Sequence, residues 1–97
     1  MYEVNGETFR TKADVIERVQ GIRDRYGLEE PIGDGDVEFL VALLQYHPDK
    51  DDGWWDGIVE HFVGGNRGGT RSFYVRYEDG SCSDWSFHRC VKHMTKK

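Results

Sequence analysis

His47, Cys82, Asp84 and Cys90 are the side-chain types of a Cys-His-Asp nucleophile set, which is assembled in space and not in sequence. A working thiol in such a set has to be accessible with a depressed pKa. Cysteines on a strand and on a terminal helix of a small domain are instead expected inside. Cys82, His88, Cys90 and His93 could recruit zinc, but their spacing matches no common finger, and His88 and Cys90 cannot easily share a helix face. Asp49, Asp51, Asp52 and Asp56 imitate a calcium or magnesium loop by number alone, because the alternating ligands and the terminal Glu of an EF-hand are absent. No nucleophile elbow, phosphate-binding glycine motif or zinc-protease helix occurs. The expectation is a protein with no catalytic residue, no metal and no cofactor.

Binding chemistry is better represented. Arg67, Arg71, Arg76, Arg89, Lys92, Lys96 and Lys97 are interleaved with Tyr74, Trp85 and Phe87, the composition of a platform on which single-stranded bases stack. The sequence therefore predicts nucleic-acid contacts at Arg67, Arg71, Tyr74, Arg76, Trp85, Arg89 and Lys92. The glycine tip Gly64 to Gly69 joins two strands and offers no helix N-terminus to a phosphate. A second candidate surface is acidic: Asp49, Asp51, Asp52 and Asp56 suit a basic protein partner. The net charge of −5 conceals this division. Residues 29–60 hold ten acids against Lys50 alone, while residues 61–97 hold seven bases against three acids. Any nucleic-acid surface must lie in that last third.

The elements that position these residues can be read from turn signals and hydrophobic period. Asn5-Gly6 between Tyr2-Glu3-Val4 and Thr8-Phe9 signals a tight opening hairpin. Thr11 caps a helix whose apolar stripe is Val15/Ile16, Val19, Ile22 and Tyr26, and Gly27 ends it. After an acidic loop, Asp34 or Asp36 caps a very apolar helix with Val37, Leu40, Val41 and Leu44 as its stripe, widened by Phe39 and Leu43. Pro48 steers the chain out of that helix, and His47 is read as a residue that fixes the ensuing loop. From Ile58 the period becomes that of strands, over Ile58 to Val63, Arg71 to Tyr77 and Cys82 to Trp85. A two-residue Asp79-Gly80 turn would set Tyr77 opposite Cys82 and Tyr74 opposite Trp85. Phe73, Val75 and Tyr77 would then face the helices, with Tyr74, Arg76 and Trp85 on the other face. Phe87 to Met94 closes the chain as a helix. The resulting class is α+β in the order ββααβββα, a small antiparallel sheet with helices packed on one face.

At 97 residues the chain makes one domain, residues 1–97, with a modest core. No apolar run is long enough to span a bilayer, and the start lacks the pattern of a secretion signal. A cytoplasmic protein, prokaryotic or viral, is expected, with both cysteines reduced.

Leu43, Leu44, His47, Pro48, Gly57, Ile58, Phe73, Val75, Arg76, Asp79, Gly80, Asp84, Ser86 and Cys90 occur in an order that resembles the DCL domain, named for the plant "defective chloroplasts and leaves" protein. The likeness covers roughly residues 37–94. It implies that His47, Pro48, Gly57, Asp79, Gly80, Asp84, Ser86 and Cys90 are family motif positions, and that the protein takes part in RNA processing or serves a transcription machinery. Where that pattern would suggest a Lys and a further Gly before Gly57, Gly53 and Trp55 stand instead. His47-Pro48-Asp49-Lys50 is also similar to the loop by which J-domain co-chaperones engage Hsp70, although strand-like sequence follows where a J-domain has a bracing helix.

The leading expectation is thus a non-catalytic module that binds RNA or a ribonucleoprotein. The alternative is an acidic protein-interaction module, such as a phage or prokaryotic inhibitor of a nucleic-acid-binding complex (an anti-defence protein). A J-domain-like co-chaperone is the third.

Overall fold

The computed structural model describes residues 1–49, 53, 56–65 and 71–95. Lys50, Asp51, Asp52, Trp54, Trp55, Arg67, Lys96 and Lys97, with most of the glycine tip, lie outside the described residues. The order is β1 (Tyr2–Val4), β2 (Glu7–Phe9), α1 (Lys12–Arg25), α2 (Asp34–Leu44), β3 (Ile58–Gly65), β4 (Arg71–Tyr77), β5 (Cys82–Trp85) and α3 (Phe87–Lys92). This is the α+β arrangement expected from the sequence. β1 and β2 form their own hairpin, and β3, β4 and β5 form an antiparallel sheet in that order.

Local chemistry explains the first elements. Asn5 (φ 50°) and Gly6 (φ 81°) both take the left-handed backbone that closes a tight hairpin. The Thr11 hydroxyl oxygen accepts the Asp14 N–H at 3.2 Å and so caps α1. Val15, Val19 and Ile22 bury the inner stripe of α1 completely. Arg18 grips the Glu7 carboxylate through two N–H groups at 3.1 and 3.2 Å, fastening the hairpin to α1.

α2 departs from its expected cap and stripe. Gly33 occupies the N-cap with no side-chain bond. Asp36 is buried and instead accepts from Arg25 at 2.7 Å and from the Tyr26 hydroxyl at 2.6 Å, tying the start of α2 to the end of α1. That bond to a carboxylate raises the Tyr26 phenol pKa. Phe39 and Leu43 are fully buried alongside Leu40 and Leu44, whereas Val41 is 39% exposed. The stripe is rotated toward Phe39, which packs edge-on against Phe9 of β2, and α2 rests on α3 and β1.

The β4–β5 turn corrects the expected register. It is a loop of Glu78, Asp79 and Gly80, with Gly80 N–H donating to the Tyr77 carbonyl and Tyr77 N–H donating to the Ser81 carbonyl, each at 2.9 Å. Gly80 supplies the positive φ of 87° that such a turn needs. The pairs are therefore Arg76 with Cys82, Val75 with Ser83, Tyr74 with Asp84 and Phe73 with Trp85. A one-residue shift exchanges the faces of a strand. Trp85 turns inward, 6% exposed, and stacks on Phe73 at 5.3 Å. The core is completed by Val63, Val75, Phe87, Cys90, Val91 and Met94 beneath the sheet.

The outer face of the sheet has no helix over it among the described residues. Phe62 and Tyr74 stack there at 5.4 Å. Tyr74 lies so close over Gly64 that a Cβ on that glycine would meet the ring at 2.6 Å. The outer edge of β3 is protected by the incoming chain: Glu29 N–H reaches the Val63 carbonyl at 2.7 Å and Ile32 N–H the His61 carbonyl at 2.9 Å. Among the described residues no helix is long and apolar enough to cross a membrane.

Candidate functional site: the cleft along the fifth strand

A cleft of about 480 Å³ opens beside β5, lined by Ser83, Asp84, Trp85, Ser86, His47, Asp49 and Arg89. Three elements build it. β5 and the start of α3 form one wall, and the chain leaving α2 forms the other. His47 N–H donates to the Leu44 carbonyl at 2.9 Å, which ends α2 and turns the imidazole inward. Its Nδ1 then accepts the Asp49 N–H at 3.0 Å. His47 thus fixes its loop, with Nδ1 as the acceptor and the proton of the neutral ring on Nε2. Burial lowers its pKa, and the Arg89 guanidinium adds to the effect while Asp49 opposes it. Arg89 reaches across from α3 to the Asp49 carboxylate at 3.4 Å and closes the end of the cleft.

β5 is an exposed edge strand. Its inner edge pairs with β4, and among the described residues no chain pairs with its outer edge. Because Tyr77 and Ser81 are hydrogen-bonded opposite each other, Ser83 and Trp85 also spend their backbone groups on β4. Alternation then points the N–H and C=O of Cys82 and Asp84 outward. Both residues are exposed. The Glu78 N–H donates to the Gly57 carbonyl at 3.1 Å, bringing the exposed Asp56 beside the Glu78-Asp79 turn from which β5 departs. Glu78, Asp79 and Asp84 make this an acidic edge, with Asp56 on the β3 side of the turn. Ser81 donates two hydrogen bonds to the Asp79 carboxylate, at 2.6 and 2.9 Å, and lowers its pKa.

The described residues expected to bind nucleic acid do not converge on one surface. Arg71 donates to the Tyr26 carbonyl at 2.7 Å, at the end of α1. Arg76 lies over the Phe62 ring at 4.8 Å and against Glu60 at 3.6 Å on the outer face. Tyr74 shares that face, Arg89 faces the cleft, and Lys92 lies exposed at the end of α3. Trp85, expected on the outer face, is in the core for the reason of register given above. Of the acidic candidates, Asp49 lines the cleft and Asp56 stands by the turn, while Asp51 and Asp52 lie outside the described residues.

The motif positions serve mixed ends. Gly57 has a φ of 77° and offers its carbonyl to Glu78; Pro48 follows His47 out of α2. Asp84 and Ser86 line the cleft, and Asp79 and Gly80 form the turn. Cys90 is buried in the core, where desolvation pushes its thiol up to about 12. Cys82 is exposed on the outer face with Arg76 Nη1 3.4 Å from its sulfur, and it does not line the cleft that holds His47. A Cys-His-Asp set is therefore not assembled. Among the described residues no three His, Cys, Asp or Glu side chains are grouped to hold a metal. What the sequence did not reveal is the open edge of β5 and the Arg89–Asp49 closure, which joins residues too distant in sequence to share any local pattern.

A family profile described as "Protein of unknown function (DUF3223)" matches residues 20–91. The chain belongs to that family. The resemblance to the DCL domain is corrected by this match: the fitting profile is DUF3223, with no DCL match, and the role that resemblance implied loses its support. The DUF3223 chain is similar to an uncharacterised protein from Rhodospirillum rubrum solved by solution NMR. The identity is 30%, the TM-score 0.80, and the match covers 91% of this chain and 85% of that one. No curated protein matches.

Proposed function

We propose that this DUF3223 protein is a non-catalytic module whose acidic surface engages a basic protein partner. The observation that carries this reading is the different fate of charges on the two candidate surfaces, Lys92 excepted, which is exposed and forms no ion pair among the described residues. Arg71, Arg76 and Arg89, the described arginines of the expected nucleic-acid surface, are each held by a group of this same chain. Glu29, Asp34, Glu38, Asp56, Glu78 and Asp84 are exposed, and none forms an ion pair among the described residues. An arginine has to leave its own partner before it can hold a phosphate, whereas an unpaired carboxylate meets an incoming lysine at no such cost. The absence of an assembled nucleophile set supports the non-catalytic part of the reading.

Fluorescence anisotropy with a labelled lysine-rich peptide and a labelled single-stranded RNA of equal length tests this. The peptide binds, the binding weakens as salt rises, and the double variant Asp56→Lys, Asp84→Lys abolishes it. Tight RNA binding that is lost on replacing Arg71 and Arg76 would overturn the reading in favour of the single-strand platform.

A further inference from the structure

We infer that the partner binds as an extended basic segment that adds a strand to the outer edge of β5, resting on the reading of a basic partner above. β5 presents the outward N–H and C=O groups of Cys82 and Asp84, and a backbone in extended form is what such a row of groups pairs with. The opposite edge of the sheet is already covered by Glu29 and Ile32, which leaves β5, among the described residues, as the edge at which another strand can dock.

The occupant is set by charge. Glu78 and Asp79 stand at the entry of β5 and Asp84 on the strand itself, all exposed, against Arg89 at the far end, which is already closed on Asp49. A segment with lysine or arginine at alternate positions would place its one row of cations on the face of Asp84 and the intervening side chains over the cleft.

The experiment uses the whole protein, nitrogen-15 labelled, and three short capped peptides: alternating Lys and Val, the same sequence with every backbone nitrogen methylated, and alternating Glu and Val. Without peptide, the amides of Cys82 and Asp84 exchange quickly with solvent and those of Ser83 and Trp85 slowly. The Lys-Val peptide then protects Cys82 and Asp84. The N-methylated peptide, which has no backbone N–H to offer in any register, binds about tenfold more weakly or worse. Equal binding of the two lysine peptides with Cys82 and Asp84 unprotected overturns strand addition and leaves the basic-partner reading standing. Equal protection by the Glu-Val peptide supports strand addition and overturns the basic partner. Binding of none of the three overturns both.

Discussion

The outer face of the sheet and the edge of β5 treat their polar groups in opposite ways. On the face, Phe62 lies beneath Tyr74, Arg76 covers Phe62, and Glu60 faces Arg76 at 3.6 Å. Ring, cation and anion are consumed within the chain, and Phe62 is only 4% exposed although no helix covers it. At the edge, Asp84 and the outward backbone of Cys82 and Asp84 have no such partners among the described residues. A surface rich in arginine and aromatic rings is therefore not by composition a binding surface. What matters is whether its groups are already engaged.

The comparison can be broken most severely at Trp85, which is a wall of the cleft and part of the core at once. Trp85→Ala removes a side chain stacked on Phe73, and about 3–5 kcal/mol of stability should go with it in a urea unfolding titration. A loss below about 1 kcal/mol would mean that the ring is not packed as described. Gly64→Ala tests the closed face next. Its Cβ would meet the Tyr74 ring at 2.6 Å, and displacing a stacked ring costs about 1–3 kcal/mol. Neutral stability would show that Tyr74 is loosely held and the face more open than it is drawn here.

A smaller effect separates the two regions by pH. Burial lowers the pKa of His47, in the cleft, and of His61, on β3, from 6.5. Below that value the unfolded chain binds protons that the native imidazoles refuse, so stability falls as pH drops through 6.5 and levels off once the native rings also protonate. His61→Gln should flatten the slope, read as the midpoint of urea unfolding against pH. An unchanged slope would assign the loss to carboxylates. The smallest effect is expected at the edge itself, where Asp84→Lys shifts stability by no more than about 0.5 kcal/mol while weakening peptide binding.

Much of the fold was legible because its signals are local. Asn5-Gly6 and the Thr11 cap each act within a few residues, and the change of period at Ile58 separates α2 from the sheet without any long-range knowledge. The turn at Glu78 to Gly80 was misread by one residue because an Asp-Gly pair suits either length, and Gly80 takes its positive φ in the longer one. That slip is small in the chain and large in space, since it carries Trp85 from the proposed platform into the core. Asp36 shows the same limit. As a cap it would answer to its neighbours, but it is taken by Arg25 and Tyr26 from another helix. The candidate site was legible only in parts: His47, Asp84 and Ser86 were singled out, but nothing in the sequence said that they line one cleft or that Arg89 and Asp49 close it.

The most direct test of the account is a pair of NMR shift maps recorded on the same labelled protein, one with a lysine-rich peptide and one with single-stranded RNA. Peptide-induced shifts concentrated at Asp56, Glu78 and Cys82 to Ser86 are expected, with the RNA leaving the spectrum unchanged. Shifts centred on Phe62, Tyr74 and Arg76, produced by the RNA and not by the peptide, would contradict it.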